Sequence, residues 1–150
     1  MKHVFCLVAI FCLVAIMGCR SLGPSLPTAR LSVESASVRG LSPYSTSSAA
    51  KAASDVAILK AIAHAESRQF QADVANAAGL STEAVSNVVL QSRGDGRFLE
   101  VRADLADRQL AAKVANAVAS RLVEDFRSNP DVHVKIIGYA RMPVRQVREE

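Results

Sequence analysis

From Asp107 to Asn129 an apolar side chain returns at every fourth position, at Leu110, Val114, Val118, Leu122 and Phe126. Gln109, Lys113, Asn116, Ser120, Glu124 and Arg127 mark the opposite side. This spacing predicts an amphipathic helix with one buried stripe. Asp107 suits the start, since its carboxylate can accept from the orphan amides of the first turn. Asn129-Pro130 is expected to end the helix, because proline disfavours the helical conformation one residue earlier. The flanking segments alternate with period two: Leu99, Val101 and Ala103 share one face of a strand from Phe98 to Ala103, and Val132, Val134 and Ile136 share one face of another. A strand, helix, strand unit from Arg97 to Pro143 is therefore the expected centre of the domain. Its helix would cross right-handed over the sheet and bury its stripe on the inward side chains.

Upstream, Leu31 and Val33 alternate with polar neighbours and predict a first strand with a weak extension to Val38, followed by a loop from Gly40 to Ser48. Ala49 to Ala78 is alanine-rich, with Val56, Leu59, Ala63, Phe70, Val74 and Ala77 near a helical spacing and Ile58 and Ile62 widening that apolar face. One rod or two helices hinged near Glu66-Ser67 both fit, and two suit a small domain better. Gly79-Leu80 reads as a glycine C-cap with its hydrophobic partner. Ser81 then caps a shorter helix, Thr82 to Leu90, and Gln91 to Gly96 is a flexible connector. The predicted class is α+β: a small sheet of three or four strands with helices on one face, in the order β-α(α)-α-β-α-β.

The N-terminus changes the picture of location. Met1-Lys2-His3 is a short positive segment, and Val4 to Met17 is an uninterrupted apolar run in which Phe-Cys-Leu-Val-Ala-Ile occurs twice. It falls short of the roughly 20 residues a spanning helix needs. Ile16-Met17-Gly18-Cys19 places a small residue directly before a cysteine. These features resemble bacterial lipoprotein signal peptides. The resemblance implies cleavage between Gly18 and Cys19, acylation of Cys19, and a protein held on a membrane facing the periplasm. At about 0.8 kcal/mol per buried CH₂, two or three acyl chains anchor stably. Arg20 stands where an aspartate commonly retains lipoproteins in the inner membrane, which favours the outer membrane. The expected organisation is signal peptide 1–18, lipidated cysteine and tether 19–28, domain 29–143 and charged tail 144–150.

Composition narrows the chemistry. The chain has three cysteines, and with Cys6 and Cys12 in the signal segment, Cys19 alone remains, so neither a disulfide framework nor a zinc cluster is expected. The formal charge of +4 is spread among acidic residues without a basic stripe, which argues against a nucleic-acid partner.

Candidate catalytic patterns dissolve on inspection. Ser48-Ala49-Ala50-Lys51 spells the S-x-x-K of penicillin-recognising acylases, but the companion S-D-N and K-T-G motifs are absent. Gly94-Asp95-Gly96 lacks the lysine of a phosphate cradle and reads as a turn. His64 and His133 have no ligand partners at metal-binding spacing, and Glu66, Asp73, Glu124 and Asp125 read as solvated helix faces. No enzyme, metal or cofactor is expected.

Several stretches together carry a family likeness. They are Phe98-Leu99-Glu100-Val101; Asp107 opening a helix with Ala115-Asn116 in its middle; Val132 to Ile137 leading to Ala140 and Pro143; Leu31-Ser32-Val33; and Ser67 to Gly79-Leu80. They resemble the periplasmic base of Wzz-type polysaccharide chain-length determinant proteins over most of Ala29 to Pro143. The family carries two transmembrane helices and a long helical excursion. Here the second membrane segment and room for the excursion are missing, and of its spaced prolines only Pro143 remains. The resemblance implies a non-enzymatic envelope protein that forms homo-oligomers and contacts polysaccharide polymerisation or export proteins, with Arg97, Glu100 and Arg102 as candidates for intersubunit pairing. An alternative role is an auxiliary lipoprotein of an envelope lipid or lipopolysaccharide transporter.

Overall fold

The computed structural model describes residues 26–36 and 48–141. Gly18, Cys19 and the rest of the signal segment, most of the tether, the extension to Val38, the loop from Gly40, Pro143 and the tail 144–150 lie outside them.

The described elements are β1 (Thr28–Ser35), α1 (Ser48–Ala65), α2 (Arg68–Ala78), α3 (Thr82–Ser86), β2 (Val88–Arg93), β3 (Phe98–Ala103), α4 (Arg108–Asp125) and β4 (Val132–Gly138). A single helical turn, Gly94–Arg97, joins β2 to β3. The class is α+β, with a four-stranded antiparallel sheet in the order β2-β3-β1-β4. Since β1 runs antiparallel to both β3 and β4, those two strands are parallel with β1 between them, and α4 makes the crossover. Leu31 stands opposite Leu99 on one side and Ile136 on the other. Between Arg30 and Leu31 the β1–β4 register shifts, because Arg30 faces Gly138 and Ile137 is the extra residue of a bulge.

Ala29, Leu31 and Val33 from β1, Leu99, Val101 and Ala103 from β3, and Val132 and Val134 from β4 are all buried on the inner face. Val114, Val118 and Leu122 of α4, followed by Phe126, form the facing layer, so the stripe read from the sequence is buried except at its start, where Leu110 is half-buried. Asp107 caps the helix as its position suggests, its Oδ1 accepting from the Gln109 and Leu110 amides at 2.8 and 3.2 Å.

Four expectations need correction. First, α4 ends at Asp125, not at Asn129. The Asn129 side chain accepts from the Asp131 and Val132 amides at 2.9 and 3.0 Å, so it shapes the turn into β4 and proline has no helix left to stop. Second, Thr82 to Leu90 is not one helix: α3 stops at Ser86, and Val88–Arg93 is a fourth strand paired with β3. The β-branched pair Val88-Val89 has a pleated partner in Arg102 and Ala103, which outweighs its fit to a helical spacing. Third, Gln91 to Gly96 is not a flexible connector, being strand as far as Arg93 and then the helical turn, where Gly94 takes a left-handed φ of 54°. The observed order is accordingly β-α-α-α-β-β-α-β.

Fourth, only part of the expected apolar face of α1 is turned inward. Ile58 is buried and Ile62 packs against the core, alongside buried Ala50, Ser54, Ala57, Ala61 and Ala65, while Val56, Leu59 and Ala63 are exposed. Alanine on every side leaves the helix without a dominant stripe, so periodicity cannot orient it. The break between α1 and α2 falls where the hinge was placed, with the Ser67 hydroxyl capping α2 by accepting from the Phe70 amide. Gly79, at φ 61°, ends α2 in the left-handed conformation that glycine adopts at low cost.

Candidate functional site

Among the described residues, helices cover one face of the sheet and leave the other face open. Strand alternation places Val89, Gln91 and Arg93 of β2, Phe98, Glu100 and Arg102 of β3, Arg30, Ser32 and Glu34 of β1, and His133 and Lys135 of β4 on that open side. Glu100 is its electrostatic centre. Arg30 lies directly across from it with Nε at 3.2 Å, and Arg93 reaches it from β2 with Nε at 3.3 Å. Both arginine side chains are more than half exposed while that of Glu100 is 17% exposed, so each pair is worth at most about 1 kcal/mol and chiefly holds register.

This geometry redistributes the residues singled out for subunit pairing. Glu100 is engaged within its own chain. Arg102 shares its face on β3, which is an inner strand and offers no sheet edge. Arg97 is not on the strand but closes the helical turn before it. Among the described residues the outer strands of the sheet are β2 and β4. Beside Glu100 the surface forms an open depression of about 660 Å³ lined by Leu26, Pro27, Thr28, Arg30, Arg93, Glu100, Gly138, Tyr139 and Arg141. The two ends of the described chain therefore meet there.

A second cluster joins three helices, and sequence spacing gave no hint of it. His64 in the last turn of α1 places Nε2 2.8 Å from Asp125 Oδ2 on α4, with Phe70 and Phe126 edge-on to its ring at centroid distances of 5.2 and 5.4 Å. Arg121 sits between the carboxylates, 2.8 Å from Asp125 Oδ1 and 3.6 Å from Asp73 Oδ2. Its Nε–H is not directed at the near oxygen, so that contact is an ion pair without a hydrogen bond. Asp73 and Asp125, read as solvated faces, are instead shared between helices. A His–Asp pair is half of a nucleophile-activating relay. Here the nearby Ser67 hydroxyl is committed to capping α2, and the cluster acts as a bolt between α1, α2 and α4.

The third feature links the helix centre to the exit of β4. Asn116 Nδ2 donates to the Ala140 carbonyl at 3.1 Å, and Asn116 Oδ1 accepts from the Ala140 amide at 2.7 Å. One side-chain amide thus satisfies both backbone groups of a residue that is 4% exposed. The helical spacing puts Asn116 on the polar side of α4, and its role emerges only where the chain returns from β4.

Of the remaining candidates, Ser48 and Lys51 are both exposed at the start of α1. His133 lies on the outward side of β4, as its alternation suggests. Among the described residues no group of three or more His, Cys, Asp or Glu side chains could hold a metal ion, and no helix is long and apolar enough to cross a membrane. No family model, curated protein or solved structure matches the chain.

Proposed function

We propose that the chain is a lipid-anchored, non-enzymatic cell-envelope protein that acts by oligomeric contact in the assembly or export of a polysaccharide, in the manner of the chain-length determinants it resembles. The observation that carries this reading is the double hydrogen bond between Asn116 and Ala140. Two short motifs of the resemblance, the Ala-Asn pair within the helix and the alanine after the last strand, are far apart in sequence and are joined here by one side chain. The likeness therefore falls on residues that work together in setting the direction of the chain as it leaves β4. Arg97, Glu100 and Arg102 stay with the reading only as parts of the open sheet face and its approach.

Two outcomes test the proposal. Cys19→Ser is expected to leave the protein unprocessed or released from membranes, and an unmodified Cys19 on membrane-bound mature protein would refute the anchor. Deleting the gene is expected to change the length distribution or export of a surface polysaccharide while sugar-precursor synthesis continues. An unchanged profile, with altered lipid or lipopolysaccharide transport in its place, would move the assignment to the transporter accessory.

A further inference from the structure

We infer that the outward face of α1 is a pairing surface for a second copy of the chain, with the two α1 helices parallel. This rests on the reading above and takes from it the identity of the partner and its confinement to a membrane. Ala49, Ala52, Val56, Leu59 and Ala63 are all exposed, Val56 at 52% and Leu59 at 63%, whereas Ser54, Ala57 and Ala61 on the opposite side are buried in the domain. The exposed set follows the alternating three- and four-residue steps of a two-stranded coiled-coil seam, with Val56 at an a position and Leu59 at the next d. A β-branched residue at a with leucine at d favours two parallel strands.

The flanking charges commit the partner and the direction. In this register Asp55 occupies g and Lys60 the following e, and both are exposed. Parallel helices bring each g residue beside the e residue five positions on in the partner, so Asp55 of each copy meets Lys60 of the other, twice by symmetry. Antiparallel helices would turn g toward g and e toward e, setting aspartate on the flank of aspartate and lysine on the flank of lysine. Among the described residues Lys60 pairs with Asp131, at 3.9 Å between two largely exposed side chains, a contact loose enough to exchange. Parallel pairing also presents the domains in a common orientation, which suits two chains anchored at Cys19 in one bilayer. The seam is only a few turns long, so the contact is weak in dilute solution and gains from confinement to a membrane, where effective concentration is high.

Leu59→Cys in the full-length, membrane-bound chain, treated with a short bis-maleimide, is expected to give a cross-linked dimer. Leu59 is exposed, so the substitution leaves the core intact. Adding Asp55→Lys is expected to lower the dimer yield roughly fivefold, and adding Lys60→Asp as well should restore it to within about twofold, because the swapped charges again oppose each other. Three results would overturn the inference: a cross-link formed instead between copies carrying Ala52→Cys and Ala63→Cys, which marks antiparallel pairing; a Leu59→Cys thiol shielded from monofunctional maleimide yet giving no dimer, which marks cover by another part of the chain or another protein; or a freely labelled thiol and no dimer. Amine-directed cross-linking in the same membranes separates the two readings. An oligomer formed there without the Leu59→Cys cross-link removes this surface and leaves oligomeric contact standing, whereas a chain that stays monomeric in the membrane removes both.

Discussion

Leu122→Ala is expected to destabilise the domain by about 2 to 5 kcal/mol, whereas Glu124→Ala two residues away should change stability by less than about 0.5 kcal/mol. Leu122 is fully buried, among the largest side chains of the core, and belongs to the layer that α4 lays on the sheet. Truncating it removes apolar contact and leaves a cavity between α4 and the strands, and neither surface can move far because both are held by backbone ladders. Glu124 is exposed, and its pair with Arg127, at 2.8 Å between two side chains more than half exposed, is a contact that solvent replaces at little cost. Denaturant titrations of the two variants check the contrast, and equal effects would show that α4 is turned the other way.

Asn116→Ala is expected to cost about 2 to 3 kcal/mol, although the residue is polar and only half-buried. The loss is greater than that of an ordinary side-chain hydrogen bond because both partners are backbone groups of buried Ala140, which would be left without acceptor and donor. Asn116→Asp separates the two bonds. A carboxylate can still accept from the Ala140 amide but cannot donate to its carbonyl, so a loss nearly as large as that of alanine is expected near neutral pH. Chemical denaturation of both variants against Gln109→Ala, an exposed position on the same helix, is the measurement. Losses no greater than those of Gln109→Ala would mean that Ala140 is held by other contacts.

How far the chain could be read in advance follows from where the information lies. The amphipathic stripe of α4, the alternation of β3 and β4, and the caps at Gly79, Ser81 and Asp107 are local signals, each set by residues within one or two turns of each other, and each is realised. What local reading missed is what distant segments decide. Val88-Val89 becomes strand because β3 offers it a ladder, Asn116 turns inward because Ala140 arrives beside it, and His64 finds Asp125 only when α1 packs near the end of α4. The orientation of α1 escaped for another reason: alanine carries too little apolar contrast to mark a face, so the larger Val56 and Leu59 were assigned to the core when they point away from it. The open-face residues Glu100 and Arg102 were legible as outward-facing from alternation alone, but the clasp of Arg30 and Arg93 on Glu100 needs the pairing of three strands.

The position of β1 inside the sheet also governs the order in which the fold can be completed. Among the described strands β1 comes first and is hydrogen-bonded to β3 and β4, so Thr28–Ser35 lacks these ladder partners until at least Phe98 has been synthesised, and lacks the second until Val132 has followed. The β2–β3 hairpin closes a short loop and can form early, whereas threading β1 between β3 and β4 closes long loops and delays the sheet. Until that happens Leu31 and Val33 remain uncovered on a strand with both edges unsatisfied, a segment prone to wrong pairing. The sheet therefore stays incomplete until β4 arrives, and the last of the described strands is the one that closes over β1.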